Sequence, residues 1–414
     1  MKKSESIELF FTTFKKIYYP EYFKDTNGRK FFSYFNKGIK TTVIIESECV
    51  NSVVISIFKE NKLGNCNKQI IEEIFAHLES EAYMSPVTKD VSLRFGRDES
   101  DNIIIDLVDN GYCIIDAEKF RLTRSVQPPF YRSQKMLSLP IPTNVEIEVF
   151  LSKFKSKFNL ENSNDYILVL AFIIKAIIPK SGANPILILQ GLQGTGKTTI
   201  SKIIKKLVDP THPLLVAPPK KIDDVIVTAH SSLLLAFDNL SGLNAEMSDL
   251  FCRISSGVGF TKRALYSNDK EIIYDISRPV LFNGIDELTT RADFLDRAII
   301  INLSKITKEK RKSESRLDKD FDEDYSYLFS GIVSLISPIL KILPTIQETN
   351  LPRMTEFARL GIALEHVLNL SQGTFLSVFD KNSLEKSEAA FWNDEICTAI
   401  HNYLFPKQYF NLTR

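Results

Sequence analysis

The eight residues Gly191-Leu-Gln-Gly-Thr-Gly196-Lys197-Thr198 constrain the fold of this chain more than any other segment. They satisfy G-x-x-x-x-G-K-[ST] in full, directly after the apolar run PILILQ and directly before TTISKIIKKL, whose spacing is helical. Strand, glycine turn and helix in that order build a cradle for phosphate. Gly191, Gly194 and Gly196 let the backbone turn tightly with its N–H groups facing inward. The helix starting near Lys197 adds the positive end of its dipole. Lys197 is spaced to reach the β- and γ-phosphates and the Thr198 hydroxyl to ligate Mg²⁺, while Thr195 and Thr199 complete the expected nucleotide contacts. A dinucleotide fingerprint is excluded, because the glycines do not fit G-x-G-x-x-G.

A phosphate loop needs a metal partner on an adjacent strand. SLLLAFDN supplies Asp238 at the end of an apolar run, placed to hold Mg²⁺ through water, with Asn239 next. RPVLFNG is a second apolar strand ending in Asn283. A polar side chain there would sit between the two motif strands and orient water toward the γ-phosphate; the plainer reading is a turn residue before Gly284. In TTRADFLDRAIIINL, either Arg291 or Arg297 would complete a neighbouring subunit's site as an arginine finger. Arg297 is preferred, since it immediately precedes a strand.

Apolar strand-like runs alternate with helical ones through PILILQG, TTISKIIKKLV, SLLLAFDN, EMSDLFCRIS, RPVLFNG and RAIIINL. Such alternation predicts an α/β fold with a mostly parallel sheet flanked by helices over residues 141–305. Residues 1–140 read as an α+β N-terminal domain. TTVIIES, VSLRFGR, NIIIDLV, GYCIIDA and KFRLTR are strands of one meander, interrupted by the helix KQIIEEIFAHLESEAY. A proline-rich stretch, SVQPPFY then SLPIPTN, reads as a linker. Residues 306–414 read as a helical region, entered through the charge-dense KEKRKSESRLDKDFDEDY, a solvated helix or linker.

Composition excludes broad classes. Hydrophobic residues are 44% and charged residues 25% of the 414, so the chain is neither disordered nor collagen-like. Five scattered cysteines without C-x-x-C and five histidines without ligand spacing exclude a disulfide framework and a zinc site. The start is a poor signal peptide, and Tyr166–Ile178 is shorter than the roughly 20 residues a membrane span needs. A cytoplasmic protein without membrane contact is expected. Lys and Arg total 52 against 51 Asp and Glu, so any contact with nucleic acid must use local patches. Aromatic and basic residues interleave over residues 1–40, as either a stacking platform for single strands or an aromatic core.

Taken in order, the phosphate loop, LLLAFDNLSGL, DLFCRISSGVGFTKRALY, RPVLFNGI and RADFLDRAI resemble a superfamily 3 helicase of the AAA+ class. More closely, they are similar to ATPases of bacterial prophages and mobile elements, often joined to primase modules. The resemblance covers residues 140–375, including LPRMTEFARLGIALE and GTFLSVF. It implies a homo-oligomeric ring, expected to be a hexamer, that binds ATP and Mg²⁺ between subunits and moves on single-stranded DNA. A primase or another replication or defence protein is the implied partner, although no primase catalytic motif is present. The resemblance also implies a β-hairpin gripping the strand, here GFTKRALYSNDKEIIYDIS, with Lys262, Arg263 and Lys270 on phosphates and Tyr266 stacking on a base. A solvated surface hairpin is the plainer alternative. One position departs from the class: many AAA+ ATPases carry Glu where Asn239 stands, and Asn cannot take a proton. Glu246 or Asp249 is the substitute base. Slow hydrolysis at Asn239 would suit an assembly switch without unwinding, and a nucleotide-holding DNA scaffold is a third reading.

Overall fold

The computed structural model describes residues 3–393 except 180, 264–270, 275, 285–290 and 348–350, together with residue 403. The chain opens with α1 (Lys3–Thr13), which runs through one π-turn into β1 (Glu21–Lys24), β2 (Lys30–Asn36) and β3 (Ile39–Ile44). These strands form an antiparallel sheet. Lys37 and Gly38 both adopt positive φ, the two-residue hairpin turn that matches strand twist and joins β2 to β3. Helices α2 (Ser47–Glu60) and α3 (Lys68–Met84) cover the sheet. Phe10 stacks on Phe14 and Phe58 at centroid separations of 5.3 and 5.8 Å, and Phe32, Tyr18 and Tyr34 join the same core. The aromatic-rich start is therefore a core and not a stacking platform.

A second antiparallel sheet follows, with β4 (Phe95–Arg97), β5 (Ile103–Asp106), β6 (Tyr112–Ile115) and β7 (Phe120–Thr123) in meander order. TTVIIES belongs to the first sheet, so the single expected meander is two sheets. The proline-rich stretch packs down: Phe130 is fully buried, and the backbone of Pro129 and Tyr131 brackets Ser92 with hydrogen bonds of 3.0 and 2.9 Å.

After α4 (Ile147–Ser156) comes α5 (Tyr166–Ile177), all twelve residues of which are buried. The chain then alternates β8 (Ile186–Gln190), α6 (Lys197–Val208), α7 (Ile222–Ser231), β9 (Leu235–Leu240) and α8 (Ala245–Ser256). It continues through β10 (Phe260–Arg263), β11 (Glu271–Tyr274), β12 (Val280–Gly284), α9 (Ala292–Leu295) and β13 (Ala298–Asn302). The central sheet has the order β13-β8-β12-β9, every pair parallel. Its strands are buried on both faces, which is why they read as continuous apolar runs. Both edges are bonded by residues from outside the sheet. The Asn382 amide accepts from the Ile300 N–H (3.2 Å) and donates to the Ile300 carbonyl (2.5 Å) on β13. On β9, Val216 donates to the Ala236 carbonyl (3.1 Å) and accepts from the Asp238 N–H (3.0 Å).

Helices α10 (Glu314–Ile342), α11 (Thr355–Val367) and α12 (Thr374–Asn393) complete the described chain. From Glu314 onward the charge-dense segment and the apolar run behind it form one helix, α10. Its acidic first half pairs with neighbouring helices: Glu314 with Lys202 and Asp322 with Lys206 on α6, and Asp324 with Lys153 on α4 and with Lys157 just beyond it. Its second half buries Leu328, Phe329, Ile332, Val333 and Ile336. Glu314–Thr345 is long and apolar enough to cross a membrane, but its apolar face packs on α4, α6 and α11.

A polar cluster without solvent access ties the second sheet to the central one. Asp209 caps the C-terminus of α6; its Oδ1 accepts from Arg94 Nε (3.1 Å) and its Oδ2 from Lys205 Nζ (2.8 Å). The same Oδ2 accepts from the Leu233 N–H (2.7 Å) and Leu234 N–H (3.1 Å) at the start of β9. Arg94 adopts φ 64°, a costly left-handed conformation. It is held there by further bonds to the carbonyls of Asp106, Leu137 and Pro210. Burial alone would raise the Asp209 carboxyl; Lys205 and Arg94, with the Ser232 hydroxyl, hold it far below the usual carboxylate range. Asp209→Ala would leave two buried cations without their anion, an expected loss of about 3–5 kcal/mol. Denaturant unfolding at neutral pH measures it, and wild-type stability in the variant would show the cluster to be dispensable.

Candidate nucleotide site

The loop between β8 and α6 closes tightly because its glycines supply backbone angles that other residues resist. Gly191 has φ 148°, and a Cβ there would lie 2.9 Å from the Leu303 carbonyl oxygen. Gly194 and Gly196 both have φ 83°, and Gly196 is the N-cap of α6. The first N–H groups of α6 thus lie at the loop without intrahelical partners, as an anion site requires. Thr195 is buried, and its Oγ1 donates to the Leu192 carbonyl at 3.0 Å, so its side chain holds the loop's shape. Lys197 Nζ donates to the carbonyls of Gly191 (2.5 Å) and Leu192 (3.1 Å). Partial burial lowers its pKa, against an upward pull from Asp238. Thr199, next along the helix, is half-buried.

The Thr198 hydroxyl donates to Asp238 Oδ1 at 3.0 Å, linking the first turn of α6 to β9. These two hard oxygens suit Mg²⁺, which keeps several waters and takes its remaining ligands from phosphate. Among the described residues no group of three His, Cys, Asp or Glu side chains could hold a metal. β9 runs two residues past Asp238. Asn239 adopts φ 61°, and the register with β12 slips between Phe282 and Gly284, a bulge that turns the exposed Asn239 side chain out of the regular ladder.

Asn283 lies on β12 between the two motif strands, as its position in the sequence predicts. It is 1% exposed; its Oδ1 accepts from the Asn239 N–H (2.8 Å) and its Nδ2 donates to Ser201 Oγ (2.8 Å). One amide therefore clamps β12, β9 and α6. Of the substitute bases, Asp249 is ion-paired with Arg291 at 2.6 Å, and Glu246 is exposed in the first turn of α8.

Arg297 sits at the other end of the sheet. β13 pairs Ala298 with Ile186 and Asn302 with Gln190. Arg297 is thus five residues before the position level with the loop, about 16 Å along the strand. Its guanidinium contacts the Asp293 carboxylate (2.5 Å) and Ser256 Oγ (3.2 Å). It is 16% exposed, whereas Arg291 is 43% exposed. Arg297 cannot serve the loop of its own subunit. Strands β10 and β11 pair antiparallel, with Lys262 opposite Ile272 and Arg263 opposite Glu271. Tyr266 and Lys270 lie outside the described residues. One neighbour of the loop was not singled out in the sequence: Arg311, whose Nη2 lies 3.2 Å from where a Gly194 Cβ would be. Its only signal was a basic run, KEKRK, that read as solvated.

The family model for actinomycete integrative conjugative element replication proteins matches residues 152–380, more than half of the chain. No curated protein matches. Among solved structures, the chain is similar to the active helicase Cch of SCCmec type IV, at 14% identity and a TM-score of 0.46, covering 93% of this chain and 77% of that one. It is also similar to the NrS-1 C-terminal region, at 12% identity and a TM-score of 0.41, covering 92% and 87%. The JCV helicase is a more distant likeness, at 14% identity and a TM-score of 0.29, covering 59% and 67%. The family match carries the assignment; the structural likenesses add no argument to it.

Asn283→Ala would leave the Asn239 N–H and the Ser201 hydroxyl without their partner. The expected cost is about 1–3 kcal/mol, read as a lower thermal unfolding midpoint. An unchanged midpoint would remove the clamp from the account of the site.

Proposed function

The chain belongs to the family of actinomycete integrative conjugative element replication proteins, and from that premise we propose that it is an ATP-hydrolysing, ring-forming motor on single-stranded DNA. In this reading it is a cytoplasmic replicative helicase of a mobile element, built on a superfamily 3 AAA+ core. The observation that carries it is the 3.0 Å contact between Thr198 and Asp238, which joins the phosphate loop to the end of an adjacent parallel strand.

The glycine backbone and Lys197 hold the β- and γ-phosphates, while Thr198 and Asp238 hold Mg²⁺. Mg²⁺ bound there supplies neutralisation of the negative charge that gathers on the transferring phosphoryl group. Asn283 fixes the backbone of Asn239, and through it the wall of the site facing the attacking water. Asn239 can orient that water by hydrogen bonding but cannot deprotonate it. Glu246 is the carboxylate left for that task, since Asp249 is committed to Arg291. Arg297 acts in trans on a neighbouring copy, which its distance from its own loop favours. The paired strands carrying Lys262 and Arg263 grip the backbone of the single strand, Lys270 is assigned to the same phosphates and Tyr266 to stacking on a base, and a primase is a fitting partner.

Turnover with and without single-stranded DNA tests this reading, alongside the mass of the oligomer. DNA should stimulate hydrolysis, and Lys197→Ala should lower it by about 10²-fold or more, the scale for losing one charge-stabilising group. The second reading, a switch ATPase without unwinding, is favoured by Asn239. It would replace the first if hydrolysis were slow and indifferent to DNA while ATP changed the assembly state. Lys262→Ala combined with Arg263→Ala should weaken single-strand binding and flatten its salt dependence. Unchanged affinity at every salt concentration would remove the hairpin from the DNA path.

A further inference from the structure

Beyond the motif residues, a strap of chain follows the phosphate loop position by position. At its base the Leu303 N–H donates to the Gln190 carbonyl at 2.9 Å, and the Leu303 carbonyl lies against Gly191. Ile306 Cδ1 stands 3.4 Å from where a Gly196 Cβ would be. A 3₁₀ turn over Lys308–Lys310 brings the chain back, with the Arg311 N–H bonded to the Lys308 carbonyl at 3.4 Å. The far end is tethered as well, since Glu314 opens α10 and pairs with Lys202 on α6. Arg311 is held between these two anchors, over the one loop position where the missing side chain of Gly194 leaves room for a guanidinium.

We propose that Arg311 is a phosphate-binding residue supplied by the same subunit, its guanidinium taking a non-bridging oxygen of the β- or γ-phosphate of a nucleoside triphosphate beside Lys197. This rests on the reading of the loop as a nucleotide site. Lys312, the next residue, spends its charge on Asp320 at 2.5 Å. Arg311 has no acidic partner among the described residues. Its charge instead joins Lys197 and the positive end of α6 at one short loop, where the Asp238 carboxylate faces Lys197 and accepts from Thr198. Like charges gathered at one spot repel unless an anion joins them, and the guanidinium fork matches a phosphate edge. Because the arginine belongs to the same chain as the loop, its contribution needs no neighbouring subunit. It thus differs from the role assigned to Arg297.

The test is fluorescence titration of the full chain with N-methylanthraniloyl ATP and the corresponding ADP, each with Mg²⁺. Wild type, Lys197→Ala, Arg311→Ala and Arg311→Lys are compared at subunit concentrations low enough to keep the protein monomeric. Arg311→Ala should weaken ATP binding roughly tenfold, the range for one charge-assisted hydrogen bond, and Arg311→Lys should recover part of it. Equal loss for ADP assigns the contact to the β-phosphate, and loss for ATP alone to the γ-phosphate. The unfolding midpoint without nucleotide should not move, since Arg311 is exposed; a lowered midpoint would mark it as structural and overturn the proposal. If Lys197→Ala loses affinity while Arg311→Ala keeps it, Arg311 is not a ligand and the nucleotide reading stands. A wild-type chain that binds neither nucleotide overturns both.

Discussion

One carboxylate without access to water, Asp209, sets the geometry on which the candidate site depends. It ends α6, the helix that begins at Lys197, and accepts from the two residues that lead into β9, the strand that carries Asp238. The near ends of these elements present Thr198 and Asp238 to each other; the far ends are tied to a single group. Fixing one end of two rigid elements fixes the other, so a 3.0 Å contact at the loop is prepared at the opposite end of the helix. Buried ion pairs of this kind contribute little net stability, because desolvation offsets attraction. Their return here is position. Arg94 brings the second antiparallel sheet into the same cluster, so one attachment of the N-terminal part is to the helix that serves the phosphate loop.

The loop, its flanking strand and helix, and the placement of Asn283 between the motif strands were legible because each has a local signature. Glycines mark the turn, apolar runs mark strands buried on both faces, and a polar residue ending such a run marks a strand tip. What was not legible depends on distant partners. The course of β9 past Asp238 needs Asn239 in a left-handed conformation, which is supported from 44 positions away by Asn283. The charged and apolar halves of α10 read as two segments because the acidic side chains that look solvated are partnered by lysines on and beside α4 and on α6. Helix α7, IDDVIVTAHS, has helical spacing at Ile222, Val225, Ile226 and Ala229, but its β-branched residues equally suit a strand and mask that signal. The aromatic residues near the start had two readings, a core and a stacking platform, and packing separates them.

The balance of charge gains a structural meaning from the same ion pairs. Lys153 of α4 and Lys202 and Lys206 of α6 are matched to acids of α10, and Lys30, Lys40 and Lys89 are matched to glutamates in the N-terminal part. Part of the near-neutral total thus reflects internal pairing. Arg311 is conspicuous against that background: it stands in a basic run, yet is directed at the loop.

The two closed edges of the central sheet govern how copies of this chain can meet. A parallel sheet with a bare edge can extend from one molecule into the next, strand against strand, without a natural stopping point. Asn382 occupies the outward backbone groups of Ile300, and Val216 does the same beside Asp238. Lateral growth of the sheet is thereby blocked at both sides. Any assembly is left to other surfaces, and there the rotation between neighbours decides between a closed set of subunits and an open fibre.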